Sequence, residues 1–148
     1  MDLHERVREF TRQTMAAMGL TLDVAVTDTA DGVRVDIFGE DGEQLLRRRA
    51  EALDALQLIV NTAFRRELKD ERSFVVDCLD YRKGKDAELR QMARFMMEKA
   101  KTSGSQEIGP LNPYARRLVH LTVAEDPALS SESIGDAFLK TVIISVRR

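Results

Sequence analysis

A chain of 148 residues with 32% charged and 43% hydrophobic side chains can form one ordinary domain or two small ones, and is too apolar for a disordered segment. One cysteine, Cys78, excludes an intrachain disulfide; with no membrane-length apolar run and a charged stretch where a secretory signal would lie, the cytoplasm is expected, without membrane insertion. A formal net charge of −2 excludes a broad basic coat, so any polyanion surface must be local: Arg47-Arg48-Arg49, Arg65-Arg66, Arg116-Arg117 or Arg147-Arg148.

Leu3, Val7, Phe10, Thr14 and Met18 recur at helical spacing and Gly19 follows, which predicts an amphipathic helix over 2–18. Leu20, Leu22, Val24 and Val26 alternate, as do Val33, Val35 and Ile37, with the hairpin signal Asp31-Gly32 between the two runs. After Gly39 to Gly42, a short helix over Glu43–Arg49 leads into a longer one. Its expected buried stripe is Leu53, Leu56, Ile59, Val60, Ala63 and Phe64. Ser73 to Leu79 is rich in β-formers and reads as a strand that buries Cys78. Helix, strand, strand, helix, helix, strand is the order of a small α+β domain with its helices on one face of the sheet.

Arg82-Lys83-Gly84-Lys85 is expected to separate the halves. A helix over about 86–101 follows, with Leu89, Met92, Ala93, Phe95 and Met96 apolar and Ser103-Gly104-Ser105 as its end. Met92, Met96 and Met97 are expected to serve as core. The chain closes on the strand Val142 to Val146.

Between these elements stands Asn112-Pro113-Tyr114-Ala115-Arg116-Arg117-Leu118-Val119-His120. Asn112 is a preferred N-cap and Pro113 suits the first helical position. Arg116 and His120, four residues apart, share one face of the helix. Backbone N–H groups, a guanidinium and an imidazole would then converge as an anion site, for which a nucleic-acid phosphate is the natural ligand. The alternative is an arginine that points to water beside a packed histidine. Arg117 either touches a phosphate or lies on the flank, and Tyr114 either stacks on a base or packs under the helix.

This string, followed by Ser131-Glu132-Ser133-Ile134-Gly135 and Lys140-Thr141-Val142-Ile143-Ile144, resembles the Arg-x-x-x-His domain of the bacterial Jag family. Ala115 and Lys140 stand where that family usually has Glu and Arg. Leu53-Asp54-Ala55-Leu56-Gln57 with Val60-Asn61 resembles the helix after the nucleic-acid loop of a Jag-type KH domain. The resemblance implies an α+β chain in which a type II KH-like domain (1–82) precedes a small α/β Arg-x-x-x-His domain with a leading helix (83–148). It also implies that the N-terminal extension carried by many Jag proteins is absent.

A KH domain grips nucleic acid through Gly-x-x-Gly, whose bare backbone admits the phosphodiester chain. The corresponding positions here are Arg47-Arg48-Arg49-Ala50, so the KH-like domain is degenerate. Either the three arginines reach phosphates over a longer distance, or they form a solvated helix end paired with Glu43 or Glu51.

The implied function is low-specificity binding of single-stranded nucleic acid, RNA rather than DNA. Arg116, His120 and Arg117 would be at the site, Lys140 nearby, and Arg47, Arg48 and Arg49 in a second patch. The competing expectation is a protein-interaction module, in which the KH scaffold binds another KH protein or a second copy of itself. His4 and His120 are the only histidines. Zinc spacing, a phosphate loop and a nucleophile elbow are all missing, so an enzyme, a metal or a cofactor is not expected.

Overall fold

A computed structural model describes residues 1–30 and 32–148. The elements are α1 (Leu3–Ala17), β1 (Asp23–Thr29), β2 (Gly32–Phe38), α2 (Gly42–Phe64) with a short 3-10 turn (Arg65–Glu67), β3 (Ser73–Cys78), α3 (Tyr81–Ser103), β4 (Gln106–Leu111), α4 (Pro113–Val123), β5 (Leu129–Ile134) and β6 (Lys140–Val146). Two compact units result, Met1–Arg82 and Lys83–Arg148, each built on a three-stranded sheet. The fold is mixed α and β. No helix among the described residues is long and apolar enough to cross a membrane.

In the first unit β2 lies between β1, antiparallel to it, and β3, parallel to it. Of the hairpin signal, Asp31 lies outside the described residues, while Gly32 opens β2 opposite Thr29. Alternate residues of the strands (Val24; Val33, Val35, Ile37; Phe74, Val76, Cys78) join the core with Leu53, Leu56, Val60 and Phe64 of α2. Cys78 is fully buried there, and burial, with Asp77 and Glu43 nearby, pushes its thiol up to about 11.

Two expected stripes shift. The first helix buries Val7, Thr11 and Met15; Thr14 is half-buried and Met18 is exposed. Thr11 can be buried because its hydroxyl donates to the Val7 carbonyl at 2.7 Å. In α2, Ile59 and Ala63 face outward, and so does Leu58.

Asp77 has no exposed surface and organises the end of β3. Its Oδ1 accepts the backbone N–H groups of Cys78 and Arg82, both at 2.8 Å. Its Oδ2 accepts from Nη2 of Arg34 at 2.5 Å. Arg82 also donates to the Val76 carbonyl (2.7 Å) and to Asp54 (2.9 Å).

The expected break at Arg82-Lys83-Gly84-Lys85 is helical: α3 starts at Tyr81 and runs through it. One glycine in a helix costs about 1 kcal/mol, too little to stop it. This helix buries Ala93, Met97 and Ala100 against Ile108, Val119, Val123, Leu129, Val142 and Ile144. Met97 is core and Met96 is half-buried, while Met92 and Phe95 are exposed, contrary to the core expected from the methionine spacing. In the second sheet β6 is central, antiparallel to both β4 and β5.

Candidate nucleic-acid interface

Helix α4 begins as its sequence demands. Asn112 is the N-cap, its Oδ1 accepting from the Ala115 N–H at 2.8 Å, and Pro113 takes the first turn. Leu118, Val119, Thr122 and Val123 turn inward, which leaves Tyr114, Arg117 and Leu121 exposed and puts Arg116 and His120 on the flank.

Nη1 of Arg116 donates to two carbonyls, Leu111 at 2.7 Å and Phe138 at 2.8 Å. The guanidinium thereby ties the end of β4 to the β5–β6 connection. Both bonds use one nitrogen, so Nη2 and Nε make no bond among the described residues and remain available to an anion. Lys140, half-buried, pairs with Leu111 in the register of β4 and β6 and follows the same connection. Arg116, Arg117 and Lys140 therefore share the α4 start and the strand ends beside it.

His120 is placed differently from a directly exposed phosphate ligand. Its Nδ1 lies 2.6 Å from Ser131 Oγ and its Nε2 2.7 Å from Ser133 Oγ. A neutral imidazole, donor at one nitrogen and acceptor at the other, satisfies both hydroxyls. The backbone N–H groups of Ala115 and Arg116 are likewise taken, by the side chain and carbonyl of Asn112. The anion-binding capacity of this surface thus resides in the guanidinium and ammonium groups, with His120 as their support. Ser131 and Ser133 are legible in the sequence only as part of a motif. Their i, i+2 spacing, which puts two hydroxyls on one face of a strand, is the available signal.

Burial, and then the positive charge of Arg116, holds the His120 imidazole below its ordinary value of 6.5. The folded chain therefore binds fewer protons than the unfolded one just below that pH. The stability involved is present above pH about 6.5 and is lost as pH falls through the lowered folded value. The drop in melting temperature between pH about 7.5 and about 5.5 is expected to be smaller in His120→Gln than in the wild type, measured by thermal unfolding at both pH values.

The other arginine group, in the first unit, interrupts α2. Arg47 turns to extended backbone (φ −63°, ψ 153°), and Arg48, Arg49 and Ala50 follow with φ of 53°, 57° and 62°. Three consecutive left-handed residues with side chains cost roughly 1–2 kcal/mol each. Buried Ala50, and Leu45 and Leu53 on either side, hold the turn. All three arginines are exposed, and among the described residues none pairs with Glu43 or Glu51, so the solvated ion pairs expected from sequence do not form.

Residues 87–145, which contain α4 and the second sheet, match the family of Arg-x-x-x-His domains, named for an arginine and a histidine separated by three residues. The RNA-binding protein KhpB of Clostridium symbiosum is 30% identical over 149 aligned residues, covering 99% of this chain and 67% of that protein. The RNA-binding protein KhpB of Bacillus subtilis (strain 168) is 27% identical over 140 residues, covering 92% of this chain and 67% of that protein.

Proposed function

The chain belongs to the KhpB family, and on that footing we propose that it binds single-stranded RNA with low sequence specificity through Arg116, Arg117 and Lys140. The observation that carries this reading is the placement of Arg116: two carbonyls fix one nitrogen while the rest of the guanidinium is presented at the start of α4. An oriented guanidinium loses little freedom on meeting a phosphate. His120 contributes by fixing β5 through Ser131 and Ser133. Contacts of this kind position a strand without reading its bases, hence the low specificity.

The first unit is read as a KH-like fold, supported by its element order and by a left-handed turn at Arg47–Ala50, between two helical segments. Arg47, Arg48 and Arg49 form a secondary, weaker phosphate surface. Exposed Leu58 and Ile59 on α2 favour a second reading, in which this unit docks a protein.

The test is a titration of labelled single-stranded RNA between about 50 and 200 mM salt, with wild type beside a folded Arg116→Ala/Arg117→Ala/Lys140→Ala variant. For single strands log K falls with log salt by about 0.7 per phosphate contact, so the variant should lose at least about tenfold in affinity and about 2 in slope. An unchanged variant would move the site to Arg47–Arg49. No binding by the wild type would favour the protein-docking reading.

A further inference from the structure

We propose that Phe138 is a base-stacking residue: its exposed ring receives the face of one unpaired nucleobase while Arg116, Arg117 and Lys140 hold the neighbouring phosphates. This rests on the RNA-binding reading and deepens it by naming what holds a base.

Phe138 lies in the connection between Ile134, the end of β5, and Lys140, the start of β6. It is 72% exposed, the next residue Leu139 is 51% exposed, and neither belongs to the core of the second unit. Among the described residues no ring contact engages Phe138; the paired rings are Phe10, Phe64 and Phe74. Packing therefore gives no reason for a phenyl ring at this place.

Its backbone is nevertheless fixed. The Phe138 carbonyl accepts from Arg116 at 2.8 Å, so the residue that carries the ring is tethered to the guanidinium assigned to phosphate. Gly135, at φ +122°, begins the connection, and Lys140 ends it. The only acidic residue of the connection, Asp136, is set against Arg116, Arg117 and Lys140. Aromatic rings beside cations are how single strands are bound without sequence preference, since every base offers a π face. Tyr114 is also exposed, but its hydroxyl donates to Asp86 at 2.6 Å, which commits the ring to a fixed position.

The experiment uses the full chain and two labelled oligomers, a single-stranded RNA and an abasic strand of equal length, with Phe138→Ala, Phe138→Leu and Phe138→Trp compared with wild type. On RNA, Phe138→Ala should bind roughly 5- to 150-fold more weakly with an unchanged salt slope, the range that one base–aromatic stack carries. Phe138→Trp should restore binding and Phe138→Leu should not. On the abasic strand wild type and Phe138→Ala should bind alike, and their melting temperatures should agree.

If Phe138→Ala binds RNA like wild type while the Arg116/Arg117/Lys140 variant loses it, the stacking role alone is overturned. Full rescue by Phe138→Leu overturns it in favour of a general apolar contact. A wild-type chain that binds neither oligomer overturns the stacking role together with the reading beneath it, and points to a protein partner at Phe138.

Discussion

Asp77→Ala should destabilise the first unit by about 3 kcal/mol or more, because the substitution leaves buried partners without an acceptor. The carboxylate has no exposed surface, and three donors converge on it: Arg34 at 2.5 Å and the N–H groups of Cys78 and Arg82, both at 2.8 Å. Removing one partner of a buried ion pair costs about 3–5 kcal/mol. The side chain of Arg34 is 16% exposed and recovers some hydration, which sets the expectation at the lower end. Small domains have total stabilities of about 5–15 kcal/mol, so the loss is a large fraction. Asp36→Ala is the control: it meets the same arginine but is 32% exposed, and its loss should stay below about 1 kcal/mol. Urea midpoints of the two variants check this. Equal midpoints would mean that Arg34 reaches water as easily in both.

Gly109→Ala should have the second largest effect, in the other unit. Gly109 has φ +149°, and a methyl group there would stand 2.9 Å from the Thr141 Cα and 3.1 Å from the Lys140 carbonyl. The backbone conformation costs roughly 1–3 kcal/mol for a residue with a side chain, and the clash adds a similar amount because backbone must move. The residue lies where the β4–β6 register shifts, between Ile108 and Leu111. Displacing this segment displaces the Leu111 carbonyl that holds Arg116. RNA affinity should therefore fall along with stability. Gly104→Ala separates the two costs: its φ is +86° but nothing lies within 4 Å, so it should show conformational strain without the clash. Thermal unfolding and RNA titration of both variants provide the comparison.

Periodicity and punctuation make most elements readable, and their failures have local causes. The spacing of apolar residues locates α1, but Thr11 replaces an apolar residue in its buried row by returning its hydroxyl to the backbone. Met18, at the end of the same apparent row, is the C-cap and points to water. In α2, Ile59 and Ala63 extend the stripe on paper, yet the 3- and 4-residue steps from Leu53 through Leu56 and Val60 to Phe64 fill the face by themselves. The charged run at Arg82–Lys85 has the polarity of a linker, but charged residues are good helix formers, and α3 continues through them.

The candidate site is legible to a different degree. The Asn112 cap and the shared flank of Arg116 and His120 are local, so spacing alone locates them. What each side chain meets depends on strands 11 to 22 residues further on, beyond the reach of any spacing rule. The two serines that occupy His120 and the carbonyl that fixes Phe138 can be found only by folding the chain.

The left-handed turn at Arg48, Arg49 and Ala50 has a kinetic consequence. A glycine loop lets a nucleic-acid backbone settle against peptide N–H groups, a contact broken only slowly. The arginine loop instead meets a polyanion with charges on long, mobile stems, at a distance set by their own methylenes. Such charges attract before contact and let go easily, so they accelerate arrival more than they delay departure. In this chain the first unit is suited to collecting strands, and how long a strand stays is decided at α4.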